Sequence, residues 1–371
     1  MAGVEIVTVQ DKQSWREFVD LPYRLYRNHP YWVPPLRMAQ KEMLDTRKHP
    51  FYAHADMQCF LARRDGQVCA RVAAIVDRNF NAFHEEQAGA FGFFESIDDV
   101  AVARAVMEAA RTWLRERGVQ VIRGPLNPST NYECGLLVEG FDSSPSVMMT
   151  YNPPSYPKML EAVGLRKAKD LLAYWSTPGA VNGARIERVA GRAAGAQGVA
   201  IRTIRMREFA QELDRIWNLY NSAWTRNWGF VPMTREEFLH VAAEMKQILK
   251  PDLALIGEVD GRAVGFALAL PNINQALKHA GGRLFPLGLV KILYHQRLIN
   301  ELRVLLLGVV EEYRTAGVAA GFYAELIRNA RRMGYGHSEM SWILEDNVLM
   351  NRSLEAMGAR KYKTYRIYEW N

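Results

Sequence analysis

Residues 304–324 read VLLLGVVEEYRTAGVAAGFYA, and this stretch decides the fold. An apolar run rich in β-branched residues predicts a strand, and the small residues after it lead into a segment with helical spacing at Phe322 and Leu326. The loop between them, 314–319, has the pattern R-x-x-G-x-A. A strand that turns into a helix in this way presents unpaired backbone N–H groups and the positive end of a helix dipole. The sequence therefore predicts a loop that binds a pyrophosphate.

The chain contains an internal repeat: three short sequence motifs of the first half recur at nearly the same spacing in the second half. The markers are an aromatic-Val-Pro step, an Asp-Gly hairpin turn between apolar runs, and a helix that ends on glycine before a Tyr-containing strand. The pairs are 32–34 with 230–232, 65–66 with 260–261, and 160–167 with 354–361. We therefore expect two copies of one fold.

Each half is predicted to run helix, hairpin, strand, helix, strand, helix, strand. A strand–helix–strand crossover after an antiparallel hairpin gives a mixed sheet with helices on its faces, so the predicted class is α/β. The first half has predicted strands at 57–63, 69–76, 90–96, 119–123 and 167–175 and helices at 99–117 and 155–163. The second half has predicted helices at 207–223, 234–249, 316–333 and 348–357, a hairpin at 253–270, and strands at 303–310, 337–344 and 361–369.

The predicted domains are 1–178 and 201–371, and a weakly structured, small-residue-rich linker is expected at 179–200. A chain of 371 residues is too long for one ordinary core, and its net charge of +7 favours an anionic partner. The chain opens without a signal-peptide pattern, carries no long uncharged apolar run, and has three cysteines without a CxxC pair. We expect a cytoplasmic protein with no metal and no nucleic-acid partner, since neither metal-ligand spacing nor a basic stripe occurs.

The element order and the strand–RxxGxA–helix unit resemble the GNAT family of acyl-coenzyme A N-acyltransferases, here as two tandem domains. Three further strings resemble a bacterial group of tandem GNAT proteins that includes bacterial ceramide synthases. They are GPLNPSTNYE at 124–133, MTYNPP at 149–154 and SWILEDN at 341–347. The resemblance implies an acyl-coenzyme A co-substrate, or an acyl carrier protein thioester, and an amine acceptor. The family often has a tyrosine as general acid at the position of Leu354, so that role must lie elsewhere or be absent.

The resemblance implies one cofactor site, in the second half. The first half has Asp98 and Asp99 at the corresponding helix start, where carboxylates cap the helix but repel a pyrophosphate. That half is left as a candidate for binding the acceptor or completing the acyl pocket. For Asn347, contact with the pantetheine and capping of the following helix are both open. The expected cofactor-binding residues are Val309, Val310, Arg314, Thr315, Ala316, Gly317, Val318, Ala319, Asn347 and Asn351.

Amide formation needs a neutral amine, a donor for the charge that develops on the thioester carbonyl, and a stabilised leaving thiolate. A base near the end of the cofactor strand is expected at Glu311 or Glu312, and Glu95 occupies the matching position in the first half. The alternative is that these carboxylates are simply solvated.

A polar loop at 124–135 interrupts an otherwise apolar chain, and long ordered loops often carry function. We expect the loop and the segment after it to read the hydroxyls and ammonium of an amino-diol, or alternatively to form a linker of Asx turns. The candidate substrate residues are Asn127, Asn131, Tyr132, Glu133, Tyr151 and Asn152.

An insert at 276–299 combines crowded apolar residues with Lys278, Arg283, Lys291 and Arg297. Such a stretch is typical of a helix at a membrane interface or in the wall of a lipid tunnel, and the alternative is an ordinary packing helix. The localisation expected is therefore cytoplasmic, with peripheral contact at the inner face of the membrane.

The resemblance implies a function in N-acyl transfer from a fatty acyl thioester to a sphingoid-type long-chain amine, as in sphingolipid and ceramide metabolism. Acetylation of a small soluble amine is a second hypothesis. A non-catalytic acyl-coenzyme A sensor is a third, favoured by Leu354, and an aminoacyl-transferring tandem GNAT of the cell-wall type is a fourth.

Overall fold

The computed structural model describes residues 3–177 and 183–371, apart from the side chains of 184, 185 and 193–197. The chain divides into two compact units. Unit 1 comprises Met1–Leu171, Ala276–Tyr294 and Lys363–Asn371, and unit 2 comprises Leu172–Gln275 and His295–Tyr362.

The elements follow the predicted order. The strands are β1 (Glu5–Thr8), β2 (Ala55–Arg64), β3 (Gln67–Asp77), β4 (Ala88–Ser96), β5 (Val121–Gly124), β6 (Leu126–Asn127), β7 (Glu133–Cys134), β8 (Leu136–Glu139), β9 (Arg166–Ser176), β10 (Val199–Thr203), β11 (Ala254–Val259), β12 (Arg262–Pro271), β13 (Glu301–Val309), β14 (His337–Leu344) and β15 (Arg360–Trp370). The helices are α1 (Lys12–Leu25), α2 (Arg37–Met43), α3 (Arg78–His84), α4 (Val100–Arg115), α5 (Tyr156–Val163), α6 (Gly183–Gln197), α7 (Phe209–Ala223), α8 (Arg235–Met245), α9 (Asn274–Leu277), α10 (Gly288–Gln296), α11 (Val318–Arg332) and α12 (Val348–Ala356).

The sheet of unit 1 has the strand order β1-β2-β3-β4-β5-β15. Its neighbours are antiparallel except β4 and β5, which run parallel because α4 crosses over between them. Helix α4 buries Val102, Val106, Ala110 and Leu114, which recur every four residues and so lie on one face. This face packs in the core of unit 1 with apolar residues of β2 to β4 and of α5.

Unit 2 repeats this arrangement in its sheet, whose order is β9-β14-β13-β12-β11-β10. Strands β10 to β13 are antiparallel to one another, and β13 and β14 are parallel with α11 as the crossover. Helix α11 buries Val318, Phe322 and Leu326 in the core of unit 2. The predicted mixed sheet and the predicted repeat of one fold are both confirmed.

The segment expected to be weakly structured is helical in its described part. Helix α6 occupies Gly183–Gln197, inside the predicted linker 179–200, while residues 178–182 lie outside the described residues. Ile186 is buried, so tertiary packing stabilises a helix that the small residues alone would not. The prediction of weak local structure, made from the small residues, is therefore wrong for Gly183–Gln197.

Candidate active site

The parallel pair β13 and β14 of unit 2 separates partway along its length. The paired register ends at Val304↔Met340, whereas the strands continue to Val309 and Leu344. The register of β13 with β12 also shifts directly after Val304, which marks a bulge. Because a bulge bends its strand, it accounts for this divergence. We call the gap after the last pair the strand opening of unit 2.

The backbone of β13 divides its hydrogen-bonding groups between two sides. The N–H of Val310, just beyond the strand, donates to Val264 O at 2.9 Å, on the β12 side. By the two-residue period of a strand, Val309 and Leu307 then direct their N–H and C=O groups toward β14. The backbone contribution predicted for Val310 is therefore not available, since its N–H is already paired. Val309 stays a candidate for binding a ligand in the strand opening, and Leu307 becomes a second one.

Helix α11 begins at the end of this strand with no side-chain cap. Gly317 is its N-cap residue at φ 80°, a conformation that costs other residues more than glycine. The first N–H groups of the helix consequently point outward with the positive end of the dipole. In unit 1 the matching helix α4 is capped differently, because Asp99 accepts from Ala101 N at 2.8 Å and Val102 N at 3.3 Å. The contrast predicted between the two helix starts is thus present.

Arg314 of the R-x-x-G-x-A loop makes contacts within the protein. Its Nη2 donates to Ala223 O at 3.1 Å, at the end of α7, and its Nε donates to Val309 O at 3.4 Å. These bonds fix the loop between α7 and the end of β13. A guanidinium has five N–H donors, so the remaining ones can still meet an anion.

The carboxylates predicted as bases in unit 2 are exposed. Glu311 and Glu312 lie in a short 3₁₀ turn after β13. Glu311 pairs with Arg226 at 2.5 Å, and both side chains are more than half exposed, so the pair contributes little to stability. The geometry is that of the solvated alternative, and a role as base stays a prediction.

The two predicted asparagines of unit 2 hold helix α12. Asn347 caps it, with Oδ1 accepting from Met350 N at 3.2 Å, so the capping alternative describes its observed contact. Asn351 is buried, and its Nδ2 donates to Leu344 O and Glu345 O at the end of β14. Its Oδ1 is buried without a hydrogen-bond partner. Both amides thus organise the β14 side of the strand opening.

Leu354 lies fully buried on α12, in an apolar cluster with Tyr174, Met340 and Ala359. No hydroxyl therefore stands at the position where the family often has its general acid.

A buried polar cluster that sequence reasoning missed lies where β13 and β14 begin to separate. Arg303 and Glu339 are cross-strand partners, and Ser341 directly follows the last paired position of β14. Arg303 donates from Nε to Ser341 Oγ at 2.9 Å and lies 3.9 Å from Glu339 Oε1. The hydroxyls of Ser341 and Tyr362 donate to the two Glu339 oxygens. Glu339 is fully buried, so its two carboxylate oxygens are stabilised by these neighbours and not by water.

The corresponding gap in unit 1 is filled by the chain itself. Pairing of β4 with β5 ends at Ala90↔Arg123, and β4 then bulges at Phe93. The N–H of Phe93 donates to Asn127 Oδ1 at 2.6 Å, so the loop 124–135 supplies the partner that the diverging strand lacks. An extra Cβ on Gly92 would lie 1.8 Å from the loop's backbone, which shows how closely the loop is seated. The Asn127 side chain is therefore engaged in a hydrogen bond with the backbone of β4.

Glu95 of unit 1 lies in a network rather than in solvent. Its Oε2 lies 2.7 Å from Tyr26 OH and 2.9 Å from Tyr156 OH. Burial raises the pKa of Glu95, although the positive charge of the cross-strand partner Arg71 acts in the opposite direction. The solvated alternative is thus wrong for Glu95.

Most other candidate acceptor residues of unit 1 also make contacts within the unit. Asn152 accepts from Leu137 N at 2.7 Å and donates to Leu137 O at 3.1 Å. Tyr151 donates to Phe141 O at 3.0 Å. Tyr132 is buried against Phe51 and His49, the Asn131 N–H donates to Ser129 Oγ, and Glu133 lies in β7 opposite Asn127. Their role in reading a substrate remains a prediction.

Comparison with curated proteins finds two relatives that match almost end to end. Protein YghO of Escherichia coli K12 is 36% identical over 370 residues, covering 98% of this chain and 94% of its own length. The bacterial ceramide synthase of Caulobacter vibrioides is 35% identical over 378 residues, covering 99% and 97%. No family model matches the chain.

Comparison with solved structures finds the same fold at low identity. A tandem GNAT protein from the clavulanic acid biosynthesis pathway aligns with a TM-score of 0.57 at 13% identity, over 99% of this chain and 98% of its own. The GCN5-related glucosamine N-acetyltransferase region of a fungal multi-domain protein aligns with a TM-score of 0.60 at 13% identity; the match covers all of this chain and 38% of that one. The chain therefore belongs to the family that contains YghO and the bacterial ceramide synthase, and it has the tandem GNAT fold.

Proposed function

We propose that the enzyme transfers a fatty acyl group from acyl-coenzyme A to the amine of a sphingoid-type long-chain base. The observation that carries the proposal is the uncapped start of α11 beside the strand opening of unit 2, together with the near full-length likeness to a protein named bacterial ceramide synthase. The acyl donor follows from the first feature and the acceptor from the second. An acyl carrier protein thioester is a second possible donor.

In the proposed complex the pyrophosphate lies at the N-terminus of α11, where the first-turn N–H groups and the dipole favour negative charge. Gly317, Val318 and Ala319 supply backbone N–H groups, and Arg314 adds its charge. The pantetheine then runs into the strand opening and pairs with Val309 as an added strand would.

The reaction replaces a C–S bond with a C–N bond and transfers one proton from the amine. The neutral amine attacks the thioester carbonyl carbon, the C–N bond forms, and the C–S bond breaks to release coenzyme A as a thiolate that is then protonated. In this scheme the backbone N–H of Leu307 polarises the carbonyl oxygen, while that of Val309 bonds the pantetheine. The proton lost by the amine passes to a carboxylate or to water.

Two routes for that proton are distinguishable. One uses Glu311 or Glu312 at the exposed end of β13, and the other uses Glu339 through the Ser341 hydroxyl. Glu311→Gln or Glu312→Gln should lower kcat by about 10²–10⁴-fold if the first route operates. Glu339→Gln, which keeps the size of the side chain, should do so if the second operates. Glu95→Gln tests the carboxylate of unit 1 in the same assay.

The test of the function is turnover of the purified enzyme on a matrix of acyl-coenzyme A chain lengths and amines, with products read by mass spectrometry. The proposal expects amide from a long-chain acyl donor and a long-chain base, with one coenzyme A released per amide. Activity confined to acetyl-coenzyme A and a small soluble amine would replace it with the second hypothesis. Binding of the thioester without turnover on any amine would instead favour the sensor hypothesis.

A further inference from the structure

The segment 283–294 of unit 1 leaves large apolar side chains in water. Phe285 is 75% exposed, Leu287 62%, Val290 63% and Leu293 54%. Isolated exposed apolar residues are ordinary, but a contiguous group of this size marks an interaction surface. A helix that only packs within the protein would cover these side chains, so packing alone does not account for their exposure. We call this set, with Leu289 and Tyr294, the apolar platform.

The apolar platform is held firmly at its base. Helix α10 buries Gly288 and Ile292, four residues apart, while Leu289 and Leu293 lie on a neighbouring face that is exposed. Before the helix, Gly282 O accepts from Arg37 N at 3.1 Å. The exposed side chains of the apolar platform therefore lie on a segment that packs and hydrogen-bonds within unit 1.

A second anchor comes from Lys278. Its Nζ donates to Pro30 O at 2.5 Å and to Ser144 Oγ at 3.2 Å. This lysine thus holds the insert to its own unit, whereas Arg283 and Lys291 are exposed among the apolar side chains. In the part of the chain that the structure describes, neither of these two residues makes an ion pair.

The charged side chains of the segment that carries the apolar platform have one sign. Residues 261–300 contain no aspartate and no glutamate. A second copy of the chain would bring Arg283 and Lys291 against the same residues across a two-fold axis, and each copy already carries a net charge of +7. An anionic lipid surface complements both features, since it accepts apolar side chains and attracts lysine and arginine.

We propose that the apolar platform docks the enzyme on an anionic phospholipid bilayer, with Phe285, Leu287, Val290 and Leu293 entering the interface and Arg283 and Lys291 meeting lipid phosphates. Among the described helices, none combines the length and apolarity needed to cross a bilayer, so the proposed contact is peripheral. The inference rests on the proposed function in one respect, namely that a long-chain acceptor would reach the enzyme from this surface.

The test is co-sedimentation of the purified full chain with vesicles of phosphatidylglycerol and phosphatidylcholine, compared with phosphatidylcholine alone. We expect binding to the anionic vesicles that weakens as salt is raised. The double variant Arg283→Gln/Lys291→Gln should bind about thirtyfold more weakly, from about 1 kcal/mol per basic residue. Val290→Glu should lose about tenfold or more, because the valine no longer enters the interface.

The matched control is Val189→Glu, the same substitution at an exposed valine of α6, which should bind vesicles as the wild type does. Circular dichroism and the thermal midpoint of each variant show whether it is folded. Equal binding by Val290→Glu and Val189→Glu overturns the proposal. So does a wild-type dimer that Val290→Glu converts to a monomer without any vesicle binding, because the platform would then be an interface between copies.

Vesicle binding is measured without acyl donor or acceptor, which separates it from the proposed function. If amide forms in detergent solution but the wild type does not sediment with vesicles, the docking inference alone fails. If the protein binds vesicles but forms no amide, the proposed function alone fails.

Discussion

Replacing Gly317 with glutamate should weaken coenzyme A binding far more than replacing it with alanine. Both side chains must adopt the positive φ of 80° found at this N-cap, at a cost of about 1–2 kcal/mol in folding free energy. Only glutamate adds a negative charge where the pyrophosphate is proposed to lie. Alanine is therefore the matched control for the backbone strain.

The size of the difference follows from electrostatics and linkage. Two like charges 4 Å apart repel by about 4 kcal/mol at an effective dielectric of 20, and solvent at this exposed loop reduces the effect to about 2 kcal/mol, or thirtyfold in Kd. A ligand at 100 times its Kd stabilises the folded state by about 2.7 kcal/mol, whereas a thirtyfold weaker one at the same concentration gives about 0.9 kcal/mol.

Calorimetric unfolding with and without acyl-coenzyme A measures this difference, and titration calorimetry gives the Kd of each variant. We expect Gly317→Ala to unfold at a lower temperature than the wild type and yet keep most of the stabilisation by ligand. Gly317→Glu should lose most of it. Equal ligand stabilisation of the two variants would refute the assignment of the pyrophosphate to α11.

Three further predictions concern the scaffold. Asp170 accepts two hydrogen bonds from an arginine at 2.7 and 3.1 Å, and although burial acts against ionisation these bonds hold its pKa below the ordinary 3.8. The stabilisation that the Asp170 carboxylate gives the folded state is thus present above pH 3.8 and is lost as the pH falls. Asp170→Asn should therefore lower the free energy of unfolding by about 2 kcal/mol at pH 7 and approach the wild type in acid. The same loss at every pH would contradict this. Gly308→Ala should lower the free energy of unfolding by about 1–3 kcal/mol, because the new Cβ would lie 2.3 Å from the Trp224 ring, and the thermal midpoint should fall with it. Gly336→Ala is the control, since its new Cβ would meet no heavy atom within 4 Å and should change the midpoint little. Glu339→Ala should cost about 3–5 kcal/mol in denaturant unfolding, since it removes a buried carboxylate that faces Arg303 and accepts from Ser341 and Tyr362. A loss below 1 kcal/mol would contradict the buried cluster.

The regular elements were predictable because local patterns decide them. The Asp-Gly turns at 65–66 and 260–261 join β2 to β3 and β11 to β12, and four-residue spacing of apolar residues sets α4 and α11. The capping by Asp99 was predictable for the same reason, since an Ncap side chain bonds to N–H groups two and three residues away.

What the sequence could not give depends on register and on long-range packing. Arg303 and Glu339 read as polar residues within apolar strands, and only the parallel register makes them neighbours. Asn127 read as a substrate ligand because nothing local shows that it meets the N–H of Phe93, 34 residues away. The assignment of 276–294 and 363–371 to unit 1 likewise rests on contacts far apart in the chain.

In the proposed function, unit 2 uses an acyl thioester, held at Gly317 and the strand opening, to make an amide of a long-chain amine. The most direct measurement is mass spectrometry of lipids from cells that carry the wild-type gene and from cells that carry Gly317→Glu at equal protein level. The proposed function predicts an N-acylated long-chain amine in the first and its loss, with accumulation of the free amine, in the second. Identical lipid profiles in the two strains would contradict it.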